Sequence, residues 1–377
     1  MKSEQYTKGF ALRVVLKAVV LFVVFNLLFA LRDPMPTLGR LSLYNGLMTG
    51  RARLPYGTNP ASYNLGLMNL DAMFSSHVVA AHKAEDEYRV LLLGDSAVWG
   101  FLLEPADTLA GRINAAGYTV SDGRRVCAYN LGYPVMSLTK DLMLLDYAMR
   151  YDPDLIVWLV TLESFPRAKQ LYPPLVQNNP RVLRRLIADY ALDLDPDDAR
   201  FVTPGFWDGT ILGRRRALAD LLRLQLYGVA WSATGIDQHY PRTYTPRQED
   251  FEADETFQGL ERHTFAASEL AFDVLRAGIA RAGDVPVLLV NEPMFISDGE
   301  NSALRYNAFY PRWAYDAYRA QLDAKAEAEG WRWLDLWDAL PDGEYYTDSA
   351  VHLTPDGSEQ LGAWVGSAIV ALAEGTD

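Results

Sequence analysis

The sequence has a single cysteine, Cys127, which excludes an internal disulfide and any multi-cysteine metal site. Cys127 lies in an apolar run that reads as a buried strand, so a structural role suits it. Histidine is also scarce, with five in 377 residues, so each can be weighed by its place in the chain. Basic residues are outnumbered 35 to 48, giving a formal charge of -13 and a pI near 4.9. Nucleic-acid binding needs a concentrated excess of Lys and Arg, so no nucleic-acid partner is expected, and acidic substrates are disfavoured. The lipase elbow G-x-S-x-G, the dinucleotide fingerprint, the phosphate loop and H-E-x-x-H are all missing. Few established chemistries remain, and neither a cofactor nor a metal is expected.

Hydrophobic residues make up half of the chain, enough to bury a large core. Phe10 to Leu31 is almost wholly apolar apart from Arg13, Lys17 and Asn26, and about 20 apolar residues span a bilayer as helix. Lys2, Lys8, Arg13 and Lys17 cluster at its start, so the charge bias puts residues 1–9 in the cytoplasm and everything after residue 31 outside. A cleaved signal peptide is the rival reading. Leu28 stands two positions before Ala30, so a small-x-small cleavage site is lacking and an uncleaved anchor is favoured.

Residues 32–85 carry Pro34, Pro36, Pro55 and Pro60 with no sustained period, and read as a stalk that packs onto the following domain. From Tyr88 apolar runs alternate with helical stretches, the pattern of a parallel βα sheet. The strands expected are Tyr88–Leu93, Val126–Asn130, Leu155–Val160, Val285–Val290 and Trp331–Leu336. Helices are expected over Leu138–Tyr151 behind Ser137, over Ala314–Gly330, and from Pro355 behind Thr354 to the C-terminus. These elements predict an α/β domain over residues 86–377: a three-layer, doubly wound, five-stranded parallel sheet whose ligands bind at the carboxyl ends of the strands.

An insertion of about 100 residues, 165–263, is too long for an ordinary connection and reads as a helical cap. Arg214, Arg215 and Arg216 precede an apolar stretch, Leu218–Trp231, that suits a helix packed on the sheet, a helix on a membrane surface or a wall of an acyl groove. The run Asp193, Asp195, Asp197, Asp198 has Pro204 where a calcium loop needs its terminal Glu, so a solvated acidic turn is the better assignment.

Two segments at strand ends carry the chemistry. RVLLLGDSAVWG places Ser96 just past the first strand, and YYTDSAVHLTPDG places Asp348 and His352 between the last strand and the last helix. A serine hydroxyl is a poor nucleophile at neutral pH. It needs an imidazole to take its proton, and the imidazole needs a carboxylate to hold its tautomer. His77, His82, His239 and His263 lie in the stalk or the insertion and read as structural or solvent-facing.

In these blocks the sequence resembles the SGNH/GDSL hydrolase superfamily, over roughly residues 86–164 and 284–377. Gly94–Ser96 is similar to its first block, Asn130–Gly132 to its second, and the segment from Asp348 to Gly357 to its last. The resemblance implies a flavodoxin-like fold, Ser96 as nucleophile, His352 as base and Asp348 as acid. It also implies an oxyanion hole from the N–H groups of Ser96 and Gly132. In the third block the family has G-x-N-D, whose Asn donates to the oxyanion, whereas this chain reads TLES and has Glu163 at that position. An ionised carboxylate cannot donate, so Glu163 must be protonated, turned away or replaced, with Thr161 and Asn291 as candidate substitutes. Three residues separate Asp348 from His352 where the family usually has two, so a backbone carbonyl or Asp342 are alternatives for orienting the ring.

The leading expectation is acyl-ester hydrolysis or O-acyl transfer through an acyl-Ser96 intermediate. Anchored, extracytoplasmic members often modify envelope or exported polysaccharides beside a membrane-bound acyl donor protein, which makes a glycan or acyl ester the expected substrate. The alternatives are a catalytically impaired protein that binds glycan or a membrane partner, and a lipid esterase fed from the bilayer.

Overall fold

The structure, a computed structural model, describes residues 8–48, 50–57, 65–234, 243–266 and 268–375; Lys2, Pro60 and His239 lie outside them. Five strands form one sheet: β1 (Glu87–Leu93), β2 (Arg125–Asn130), β3 (Leu155–Val160), β4 (Val287–Asn291) and β5 (Arg332–Asp335). Their spatial order is β2-β1-β3-β4-β5 and every pairing is parallel. The expected strands all form, with ends within two residues of the expected bounds. Strands β1, β3 and β4 are buried throughout, as their apolar runs require when helices cover both faces, and the two charged residues of β1, Glu87 and Arg89, are buried as an ion pair.

Before the sheet come α1 (Lys8–Arg32), α2 (Met35–Gly39), α3 (Leu43–Leu47) and α4 (Leu70–Ser75). A one-turn helix α5 (Ser96–Trp99), α6 (Leu109–Ala116) and α7 (Leu138–Ala148) lie between the first three strands. The insertion holds α8 (Pro174–Gln177), α9 (Pro180–Tyr190) and α10 (Arg215–Thr234); α11 (Phe272–Ala282), α12 (Arg312–Glu329) and α13 (Pro355–Glu374) complete the chain. The expected caps are in place. The side chains of Ser137 and Thr354 accept from the N–H groups of Lys140 and Gly357, and Gly330 closes α12 in the left-handed conformation.

Strand alternation divides the core into two layers. Leu91, Leu93, Ile156, Trp158 and Leu289 face α7, α11 and α12, while Val90, Leu92, Val157 and Val290 face α6 and α13. Both faces of the sheet are therefore covered, and only the strand ends remain open for chemistry.

Residues 50–57 and 65–80 are more deeply integrated than the word stalk implies. Leu54, Leu67, Leu70, Met73 and Phe74 are buried in the first layer, and Arg53 forms a parallel bridge to Asn130 at the end of β2. The Arg53 guanidinium donates to the carbonyls of Gly100 and Leu103 at 2.9 and 3.0 Å and lies over the Trp99 ring. Trp99 in turn donates to the Leu54 carbonyl at 2.9 Å. This segment thus braces the short helix that begins with Ser96.

Helix α1 is long and apolar enough to cross a membrane, and Leu12, Leu16 and Leu21 on it are 69%, 62% and 68% exposed. Helix α10 has two apolar faces. Leu221, Leu224 and Trp231 join the core, while Leu222, Leu226 and Val229 point outward. The acidic run of the insertion is spent on local order: Asp198 pairs with Arg200, and Asp195 accepts from the Asp197 N–H.

Candidate active site

Strand β1 runs out at Leu93, and the turn beyond it needs Gly94, whose φ of +152° is poorly accessible to other residues. A Cβ there would also sit 2.5 Å from a Val98 methyl. Asp95 then caps α5, its carboxylate accepting from the Ala97 N–H at 2.7 Å. Ser96 is the first residue of α5, where helix N–H groups have no intrahelical acceptor, so its own N–H is available to an incoming oxyanion.

From the other end of the chain, the bridge between Tyr346 and Leu353 pinches residues 347–352 into a loop, with the Thr347 N–H and hydroxyl both donating to the His352 carbonyl. The loop delivers His352 to the serine. His352 Nε2 lies 2.8 Å from Ser96 Oγ, and His352 Nδ1 lies 2.8 Å from Asp348 Oδ1. A carboxylate can only accept, so Nδ1 carries the proton and Nε2 is left as acceptor for the serine hydroxyl. Burial pushes the Asp348 carboxyl up, but the hydrogen bonds it accepts from His352 and Thr347 outweigh it and hold the group below the ordinary aspartate value. The extra loop residue is absorbed, and Asp348 is the group that orients the ring. Phe101 covers the imidazole, with ring centroids 5.0 Å apart.

The remaining expected donors each have a hydrogen-bond partner in the structure. The Gly132 N–H donates to Asn130 Oδ1 at 3.1 Å, while the Asn130 amide donates to the Val98 carbonyl at 2.8 Å. Gly132 is needed for close packing, since a Cβ there would lie 2.4 Å from the Trp99 nitrogen. Thr161 is fully buried and its hydroxyl pairs with Tyr310 at 3.0 Å. Asn291 is buried as well, donating to Asp335 at 2.8 Å and accepting from Tyr315 and Tyr318. Glu163 is turned toward Lys169, with which it forms an ion pair, and its second oxygen accepts from Gln258 at 2.6 Å. The Ser96 N–H, at the first position of α5, has no intrahelical acceptor.

Behind Ser96 lies a charged cluster that the sequence does not announce. Lys140, on α7, is fully buried and donates to the Gly94 carbonyl at 2.7 Å and the Tyr133 carbonyl at 2.6 Å, while pairing with Asp141 at 2.8 Å. One ammonium therefore joins the loop that presents Ser96 to the loop that contains Gly132. Asp95, Asp141 and Glu292 are all buried beside it, three acids to one base. Burial pushes the Asp141 carboxyl up to about 6 against the pull of Lys140. Burial, followed by repulsion from Asp95 and Asp141, pushes the Glu292 carboxyl well above the usual carboxylate range. Among the described residues Glu292 Oε1 has no hydrogen-bond partner, and Glu292 lines a cavity of about 10 Å³.

The other histidines sit apart from this site. His77 is fully buried, accepting from the Val79 N–H and bonding to the Ala52 carbonyl, and burial lowers its pKa to about 4. His82 is exposed, and His263 pairs with Glu269 on the surface. On the far side of Asp348 a groove of about 570 Å³ opens between Leu102, Tyr244, Arg247, Asn307 and Phe309, with Tyr244 and Phe309 41% and 39% exposed.

The sheet is parallel in the order β2-β1-β3-β4-β5, and serine, histidine and aspartate meet at its carboxyl ends. In fold the chain resembles the SGNH/GDSL hydrolases. Solved structures similar to it include the lipase/acylhydrolase from Enterococcus faecalis, 16% identical over 75% of this chain and 96% of that one, with a TM-score of 0.37. A carbohydrate acetylesterase from Sinorhizobium meliloti is 12% identical over 75% and 99% of the two chains, TM-score 0.34. The M. smegmatis aryl esterase is 12% identical over 75% and 99%, TM-score 0.33. No family model matches the sequence, and no curated protein matches it at a significant level. Likeness at this level decides nothing about the reaction, which rests on the side chains alone.

Proposed function

We propose that the protein is a serine-dependent acyl-ester hydrolase or O-acyltransferase with Ser96 as nucleophile, His352 as general base and Asp348 as the acid that orients it. The observation that supports this most is the unbroken relay of 2.8 Å contacts from Asp348 through His352 to the Ser96 hydroxyl. Ser96 Oγ attacks the ester carbonyl as its proton passes to His352 Nε2. The tetrahedral intermediate then expels the alcohol, which takes that proton, and leaves an acyl-serine. Water or a sugar hydroxyl, deprotonated by the same imidazole, attacks the acyl carbon and returns Ser96 to its starting state.

The finer reading concerns place and acceptor. The apolar α1 supports a single-pass anchor with a cytoplasmic N-terminus and the catalytic domain outside. The groove beside Asp348 combines exposed aromatic faces with hydroxyl, amide and guanidinium groups, a lining suited to sugars. We therefore favour an envelope or exported polysaccharide as substrate, with a membrane-bound acyl donor protein as partner in the transferase case. The engagement of Gly132, Thr161 and Asn291 elsewhere supports a second reading, a glycan-binding protein with little turnover. Fluorophosphonate labelling of the full-length protein separates the two. Covalent labelling that disappears in Ser96→Ala supports the enzyme, and an unlabelled native protein leaves the binding reading.

A further inference from the structure

We propose that the loop Phe206–Leu212 and the outer face of α10 form a second membrane-contact surface, seated at the headgroup and acyl boundary of the bilayer crossed by α1. The proposal rests on the reading of α1 as an anchor. Its starting point is Asn26, the polar residue in the apolar half of α1. Asn26 is only 7% exposed because the insertion reaches over it: the Leu212 N–H donates to Asn26 Oδ1 at 3.3 Å, and Gly209 packs against Ala30. Asn26 lies six residues before the end of α1 at Arg32, so the contact falls about 9 Å along the helix from its end. A loop that touches a membrane-spanning helix at that height is at the bilayer interface.

The side chains fit that position. Phe206, Trp207 and Leu212 are 48%, 73% and 55% exposed, and aromatic rings collect at the level of lipid headgroups. Helix α10 begins three residues later with Arg215 and Arg216, both exposed and placed to meet phosphates. Its outward residues Leu222 and Leu226 are 61% and 64% exposed, one turn apart on one face, an arrangement that leaves apolar surface in water unless lipid covers it. Gln225 tethers α10 to the segment just after α1 through the Leu41 carbonyl and the Leu43 N–H, so the helix stays beside the membrane exit point. The loop and α10 thus both bring exposed apolar groups to the end of one span, and a bilayer is the partner common to them.

The test places single spin labels in a Cys127→Ser background of the full-length protein reconstituted into anionic lipid nanodiscs. The sites are Val19→Cys in the span, Trp207→Cys in the loop and Leu226→Cys on α10. Collision rates with oxygen, which favours lipid, and with a nickel complex, which favours water, are read for each. The expected result is an oxygen-to-nickel ratio at all three sites several-fold above that of the same label on a short peptide in water. Lipid-type behaviour at residue 19 with water-type behaviour at 207 and 226 overturns the surface and leaves the anchor standing. Water-type behaviour at residue 19 overturns the anchor and the proposal together. Spin–spin broadening at 226 with both collision rates low means that a second copy of the chain covers α10, and this too overturns the proposal.

Discussion

Ser96 stands between a rim and a floor that handle charge in opposite ways. At the rim, Asp348 and His352 remain partly open to solvent, with side-chain exposures of 29% and 13%; one hydrogen bond joins them and a second runs from His352 to the serine hydroxyl. On the floor, Lys140, Asp141 and Glu292 are shut off from water, and the ammonium is spent on backbone carbonyls. A group that must exchange protons during turnover needs access and a partner that can change state. A buried charge tied to fixed dipoles is costly to disturb, so it serves to hold geometry.

Substitutions at the rim are expected to have the largest effect on rate and little on stability. Asp348→Asn keeps the shape but reverses the preferred tautomer of His352, and a loss of about 10⁴ in kcat follows by analogy with other triads. Steady-state hydrolysis of p-nitrophenyl acetate measures it, alongside the denaturation midpoint. A variant that kept native activity would mean that Asp348 does not orient the ring. The floor is expected to behave in the reverse manner. Lys140→Met strands Asp141 and frees two carbonyls, at a cost of about 3–5 kcal/mol in urea unfolding. The double variant Lys140→Met/Asp141→Asn recovers part of that stability because no buried charge is left alone. It still lacks the tie between the two loops, so kcat remains depressed while KM is little changed. Full recovery of kcat in the double variant would reduce Lys140 to a purely structural ion-pair partner.

The two halves of this comparison were not equally legible. The sheet can be read from the chain because β1, β3 and β4 are built on apolar runs such as Val90–Leu93 and Leu155–Val160, and burial on both faces leaves such runs few other conformations. Ser96 can be read because its motif directly follows β1, and the Asp348–His352 pair because it lies between the last strand and the last helix. The hydrogen-bond partners of the expected oxyanion donors were not legible. The fate of the Gly132 N–H depends on the rotamer of Asn130 two residues earlier, and no spacing rule encodes that. Lys140 was hidden for a different reason: a lysine followed by an aspartate in a helix ordinarily marks the solvated face, and only the long-range meeting with Gly94 and Tyr133 reveals otherwise. Residues 50–57 and 65–80 lack any period, so the burial of Leu54, Leu67 and Phe74 among them follows from tertiary contacts alone.

The same contrast between open and closed sites extends to the histidines. His77 is enclosed and neutral, its pKa lowered from 6.5 to about 4 by burial. The unfolded chain therefore binds more protons between those values, and stability must fall as pH drops from about 6.5 to 4. Each pH unit in that window removes roughly 1.4 kcal/mol, so the full effect is about 3 kcal/mol. His77→Gln should flatten the wild-type slope over that window by this amount, as read by urea denaturation at several pH values. An unchanged slope would mean that His77 is not shut away from protons.

Glu292 gives the smallest effect and the one with the opposite sign. Its carboxyl is held above the ordinary glutamate range, so the folded protein binds a proton that the unfolded chain has released above about pH 4.5. Stability from this source is present in acid and is lost as pH rises toward the folded-state value. Glu292→Gln keeps the size and neutrality of the protonated side chain but needs no proton. The variant should match the wild type near pH 4 and become progressively more stable than it toward pH 8, by up to about 1.4 kcal/mol per pH unit until Glu292 ionises in the fold. Taking the difference between variant and wild type at each pH cancels the acid-side contribution of His77. A difference that shrinks with rising pH would show that Glu292 is ionised in the native state, and the floor would then hold one more negative charge than its hydrogen bonds can support.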